Sequence, residues 1–165
     1  PQAGNDVWGW TSNDGSDREF VIWGVKEGHF FLEVTNFEPV ILGFLPGTDH
    51  STSWWRDMKV IGDFCYMGSE AKKHGMQIFD MRKLLTIDPD TDCVDDKYCT
   101  VLSLDRLYLG NKDYKVGASH NIVANEESGF VYLVGGSNGC NSGLHVVDVS
   151  DPLNPTTAGR FGGDG

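Results

Sequence analysis

An internal repeat constrains this chain more than any other feature. Leu144 to Phe161 reads LHVVDVSDPLNPTTAGRF, in which β-branched Val146, Val147 and Val149 are interrupted by Asp148 and Ser150, a strand pattern. Asp151, Pro152, Asn154 and Pro155 then turn the chain, because such residues fix φ or bond their own backbone, and a second short strand closes on Gly159. Phe31 to Phe44, FLEVTNFEPVILGF, repeats the unit with one gap: Glu33 matches Asp148, Pro39 matches Pro155 and Gly43 matches Gly159. Ile78-Phe79-Asp80-Met81 opens a third, degraded copy.

The upstream segments repeat as well. Phe20 to Gly24, Phe64 to Gly68 and Phe130 to Val134 are equivalent apolar strands, and Asn5 to Trp8, Arg56 to Val60 and His120 to Val123 fill one more equivalent place. Each repeat is therefore three or four short strands with no helix between them. The 44 residues from Phe20 to Phe64 match a four-stranded propeller blade, and the 66 from Phe64 to Phe130 match a blade plus an insertion of about 22 residues. The expected fold is all-β: about three four-stranded blades of a larger β-propeller, incomplete here. The blades run from about 5 to 47, 54 to 110 and 117 to 161. Ring closure takes at least four blades, so further blades are expected, later in the chain or from another subunit.

Composition narrows the function classes. With 39% hydrophobic and 12% aromatic residues the chain can build a core, and no apolar run reaches the length of a membrane span. A net charge of −11 disfavours nucleic acid, whose binding needs clustered Lys and Arg. The start at Pro1 without a Met reads as a mature, partial or proteolysed piece.

In chain order, Asn5 to Ser12 is an inner strand with Trp8 and Trp10 on one face. Lys26-Glu27-Gly28 makes a hairpin turn, and Pro46 to Ser53 is a surface loop. The five tryptophans are expected to fill the wedges between blades rather than to stack a ligand. Gly135-Gly136-Ser137-Asn138-Gly139 matches G-x-S-x-G, but a nucleophile elbow needs a helix after the serine, and here a strand follows. His29, His50 and His145 lack metal-ligand spacing and are expected to be surface or satisfied positions.

The second-blade insertion, about Leu85 to Thr100, reads LTIDPDTDCVDDKYCT. Asp88, Asp90, Asp92, Asp95 and Asp96 could gather oxygens around calcium, although Cys93 and Cys99 replace the Gly and Glu of an EF-hand. The alternative is a solvated acidic loop. Cys93 and Cys99 flank five residues and suit a local disulfide. Cys65 is expected to be a buried thiol, while Cys140 could pair with Cys65 or with a cysteine beyond residue 165.

Several of these motifs together carry a family resemblance. Asn5-Asp6-Val7-Trp8-Gly9-Trp10, Trp55 to Val60, Ser69-Glu70-Ala71, His74 to Asp80, Ser119 to Ile122 and Gly143 to Pro152 resemble the LVIVD-repeat proteins of the choice-of-anchor B family. The resemblance spans Asn5 to Phe161 and implies a secreted or surface-anchored β-propeller. It brings no agreed catalytic residues. Arg160 stands where a cysteine is common, so the resemblance leaves Cys140 without its usual partner.

The repeat also suggests a site. Each inner strand begins with a polar pair: Asn5-Asp6, Arg56-Asp57 and His120-Asn121. Innermost strands line a propeller's central channel, so these pairs, with Glu70 and His74 from a connecting loop, form a candidate ring for a cation or small polar ligand. The competing reading is that Asp6, Asp57 and Asn121 bond neighbouring backbone.

Three function classes follow. The first is a non-catalytic extracellular or cell-surface scaffold whose partner is a protein or glycan. The second is a calcium-dependent form of it. The third is a metal-dependent hydrolase or small-ligand binder acting through the ring around Asp57, His74 and His120.

Overall fold

The computed structural model describes residues 3–93 and 98–162. Three antiparallel meanders follow one another along the chain. In the first, β1 (Gly4–Thr11), β2 (Glu19–Val25), β3 (Gly28–Glu33) and β4 (Val40–Pro46) lie side by side in chain order. The second begins with β5 (Arg56–Ile61), β6 (Phe64–Ser69) and β7 (Met76–Asp80). The chain then leaves this sheet through a 3-10 turn at Met81–Thr86, a single turn α1 (Pro89–Asp92) and the short β8 (Thr100–Val101). It returns as β9 (Arg106–Tyr108), the fourth strand of the second sheet. The third sheet is β10 (Asn121–Asn125), β11 (Phe130–Val134), β12 (Leu144–Asp148) and β13 (Thr156–Phe161). The fold is thus all-β, with no helix long and apolar enough to cross a membrane among the described residues.

Residues aligned from the sequence pair alike in the three sheets. Val7 faces Trp23, Met58 faces Met67 and Ile122 faces Leu133, three equivalent inner pairs. Even an irregularity repeats. The β3–β4 register shifts just after the Phe31–Gly43 pair, and the β12–β13 register shifts just after Val146–Gly159.

Because side chains alternate across a strand, each sheet has two apolar faces, and the second sheet buries both. Met58, Cys65, Met67 and Phe79 pack with Phe20, Ile22 and Phe31 of the first sheet. Tyr66, Met76 and Ile78 pack with Ile122, Val131, Leu133 and Val147 of the third.

The insertion is longer than the expected 85–100, since the excursion from β7 to β9 spans 81–105. Its first turn is part of the core, with Met81 and Leu84 fully buried. Its β8 crosses to the first sheet and pairs in parallel with β4, Gly43 facing Thr100 and Phe44 facing Val101.

The tryptophans depart from the expectation. Trp10 is buried against Phe20 and donates its indole N–H to the Gly62 carbonyl at 3.1 Å, but Trp8, Trp54 and Trp55 are exposed. Lysine ammonium groups lie over two of these rings, Lys59 4.4 Å from the Trp8 centroid and Lys26 5.5 Å from that of Trp54. Cation–π contact and water on one side suit an amphipathic ring.

Candidate functional site

The inner strands β1, β5 and β10 are neighbours, with β5 between the other two. The polar pairs that begin them are brought near one another, but they do not form a single ring. They separate into three groups.

The first group centres on Asp57. Its Oδ2 accepts the Ile122 N–H at 2.8 Å and the Asn121 amide at 3.2 Å, and its Oδ1 accepts the Lys59 ammonium. Asp6 lies beside it. Burial, then the hydrogen bond to Asp57, raises the Asp6 carboxyl above its ordinary value. Burial also acts on Asp57, but the hydrogen bonds from Lys59, Ile122, Asp6 and Asn121 outweigh it and leave this carboxyl lowered. Asp6 is therefore the member of the pair that holds a proton first as pH falls. Asn5 also bonds across to the next inner strand, its Oδ1 accepting the Arg56 N–H at 2.7 Å.

The second group is an exposed contact in which His120 Nδ1 meets the Glu70 carboxylate. The third is Arg56 with His74, and it lies buried between the first and second sheets. The Arg56 guanidinium donates to the carbonyls of Val25 at 2.7 Å, Lys26 at 3.1 Å and Ser51 at 3.0 Å, and to His74 Nε2 at 3.0 Å. A guanidinium cannot accept and a carbonyl cannot donate, so the His74 tautomer is fixed: Nε2 accepts from Arg56 and Nδ1–H donates to the Gly75 carbonyl at 3.1 Å. Burial, then the nearby Arg56 charge, pulls His74 down to about 4. Burial likewise lowers Arg56 to about 10, against the pull of Glu27.

His29 belongs to this third group and was not legible in the sequence. It is fully buried with neither ring nitrogen hydrogen-bonded, contrary to the expected surface or satisfied position. Burial, then Arg56 and His74, holds it well below its ordinary value. His145 is buried and satisfied, its Nε2 2.9 Å from the Tyr108 hydroxyl, and His50 is exposed. Lys59 was also missed, since nothing in the strand pattern marks a lysine as the counter-charge of an aspartate two residues away.

The trio Asp57, His74 and His120 does not converge. Asp57 and His74 have every polar atom engaged in different groups, and His120 is turned to Glu70. Among the described residues no three His, Cys, Asp or Glu side chains gather as a metal-ligand set.

In the acidic insertion, Asp88 caps α1 by accepting the Asp90 N–H at 3.0 Å, and Asp92 accepts the Asp88 N–H at 2.9 Å. These bonds fold the turn and occupy one oxygen on each of Asp88 and Asp92. Asp95 and Asp96 lie outside the described residues. Cys93 and Cys99 form the disulfide. Cys65 and Cys140 are free and buried in separate places, so they do not pair: Cys65 sits between the first two sheets, and Cys140 Sγ lies 3.8 Å from His145 Nδ1 in the third. Ser137 precedes β12 with no helix between them, so the G-x-S-x-G match is not an elbow.

No family model, curated protein or solved structure matches the chain.

Proposed function

We propose that the chain is a non-catalytic interaction scaffold, three consecutive blades of an LVIVD-type β-propeller that acts outside the cell or at its surface. Three meanders of equivalent register, the middle one covered on both faces, support the propeller reading. One observation carries the functional part: the polar groups that would line a channel site are used as connectors between blades. Asn5 holds the Arg56 N–H and Asp57 holds the Ile122 N–H, one such bond for each pair of adjacent blades. Groups held this way are poor candidates for general acid–base work, which needs a side chain free to move a proton. The Cys93–Cys99 disulfide fits an oxidising compartment. A protein or glycan partner and further blades belong to the same proposal.

A second reading is the same scaffold stabilised by calcium at the acidic turn, favoured by Asp88, Asp90 and Asp92 lying in one turn beside that disulfide.

Thermal unfolding with excess Ca²⁺ and then with chelator, on the wild type, Asp57→Ala and Asp90→Asn, separates the readings, because a cation bound only by the folded state raises the midpoint. The metal-free scaffold expects no calcium shift and a lower midpoint for Asp57→Ala in both buffers. A calcium-dependent rise abolished by Asp90→Asn assigns the insertion. A rise abolished by Asp57→Ala assigns a cation to the inner strands and overturns the connector role.

A further inference from the structure

Trp55, Glu70 and His120 come together at one end of the seam between the second and third sheets, each just outside a strand: β5, β6 and β10 respectively. The β5–β6 ladder pairs Arg56 with Ser69, and the Glu70 N–H donates to the Trp55 carbonyl at 3.1 Å, so Trp55 and Glu70 stand opposite one another one step further out. The Ser69 hydroxyl donates to the same carbonyl at 3.1 Å and fixes this end of the ladder. His120 reaches across the seam to Glu70. Both walls of the site belong to sheets already packed together, so it does not depend on what covers the outer faces of the first and third sheets.

All three side chains are open to water, Trp55 being 54% exposed, Glu70 36% and His120 56%. Lysine ammonium groups lie over Trp8 and Trp54, but among the described residues no cation lies over the Trp55 ring. Its indole N–H, unlike that of Trp10, donates to no group among them. A carboxylate cannot donate, so His120 Nδ1–H donates to Glu70 Oε1, and Nε2 of the neutral ring is left as an acceptor. Glu70 Oε2 likewise has no partner among the described residues. The site offers one open aromatic face, one indole donor and two acceptors.

That combination fits one chemical class. A sugar ring has a face of C–H groups and an edge of hydroxyls that both donate and accept, so its face can lie on a flat aromatic ring while its edge meets the acceptors and the donor beside it. The groups across the ladder and the seam from Trp55 are a carboxylate and an imidazole, whereas the centre of a protein contact is depleted of charge. One carboxylate is too few for a hard cation, and it repels uronate and sulfated sugars. We infer that Trp55, Glu70 and His120 form a binding site for a neutral glycan, Trp55 stacking on a sugar ring whose hydroxyls donate to Glu70 and His120. The inference rests on the scaffold reading and names its partner.

Titration with cellohexaose, mannohexaose and chitohexaose, and with hexagalacturonate as the acidic comparison, tests this through the indole N–H resonances and by calorimetry. At least one neutral hexaose is expected to move the Trp55 resonance and to leave in place that of Trp10, which is buried with its N–H bonded to Gly62. The hexagalacturonate is expected to move neither. Trp55→Ala and Glu70→Ala are each expected to weaken binding about tenfold or more, through loss of a stacked ring or of a charged acceptor. A Trp10 resonance at its wild-type position shows that each variant folds. The site is overturned if no neutral hexaose moves Trp55, if the uronate binds as tightly, or if Trp55→Ala keeps wild-type affinity. Chromatography of the sugars after incubation keeps the two readings apart. Intact sugars without binding overturn the glycan site and leave the scaffold to a protein partner, whereas binding accompanied by shorter sugars keeps the site and overturns the non-catalytic reading.

Discussion

The Asp57 carboxylate accepts the Ile122 N–H at 2.8 Å, joining inner strands of neighbouring sheets across 65 residues of sequence. The Asn121 amide, the Lys59 ammonium and the Asp6 carboxyl complete its shell, and the side chain is only 6% exposed. Removing it leaves a buried N–H without its acceptor and takes the counter-charge from an ammonium that keeps the Met58 carbonyl at 2.9 Å. Asp57→Ala is therefore expected to lower stability by about 2–3 kcal/mol, and Asp57→Asn, which still accepts the N–H, by about 1 kcal/mol. Urea midpoints at pH 7 check both, and a cost near zero for the alanine variant would mean that water replaces the carboxylate.

His74 and His29 give the fold a defined acid sensitivity. Both are held neutral in the folded state, so each binds its proton more readily when unfolded. Stability from His74 is whole above pH 6.5 and is lost as pH falls from there toward about 4. The ceiling on that loss is about 3 kcal/mol. Asp57, lowered from 3.8, loses its contribution only below that value, and the raised Asp6 works in the opposite direction. Melts at pH 7, 5.5 and 4.5 are expected to fall steadily for the wild type and less steeply for His74→Gln. Parallel curves would show that His74 does not govern this window.

Arg56→Lys is not a conservative change here. One ammonium cannot reach three carbonyls and an imidazole that a planar fork spans, and the Ser51 carbonyl ties the 47–53 loop to the second sheet. A loss of about 3 kcal/mol is expected, together with faster proteolytic cleavage within that loop. Unchanged cleavage would place the loop's anchor elsewhere, for instance in the Thr48 hydroxyl bond to the His74 carbonyl at 2.8 Å.

Gly43 and Gly159 share a repeat position and a register shift but not a neighbour. A Cβ on Gly43 would meet the Leu102 side chain at 2.7 Å, whereas one on Gly159 meets nothing within 4 Å. Gly43→Ala is expected to cost about 1–3 kcal/mol and Gly159→Ala to be neutral or stabilising by up to about 1 kcal/mol. Equal effects on the two midpoints would show that β8 yields easily.

Much of the fold was legible because its signals are local. Alternating β-branched residues, the Asp-Pro turns and the recurrence of Phe20, Phe64 and Phe130 located most of the strands within one or two residues, but not β8 or β9. The path of the insertion was not legible, since Thr100 and Val101 are too short a strand to announce a partner and their pairing with β4 is a matter of which edge lies near. Candidate site residues were found by their repeat position, but their grouping was not. Neighbours in sequence alternate faces, so Arg56 points between sheets while Asp57 reaches toward β10.

By itself the sequence determined the all-β class, the place and order of most strands and the Cys93–Cys99 bridge, because each depends on residues near one another along the chain. Only the tertiary structure decided that Arg56 and His74 share a desolvated interface with His29, that Asp57 serves Ile122, and that Trp8, Trp54 and Trp55 stay in water. Those outcomes depend on which faces of separate sheets meet, and burial, charge neutralisation and hydrogen-bond satisfaction are properties of that meeting rather than of any stretch of chain.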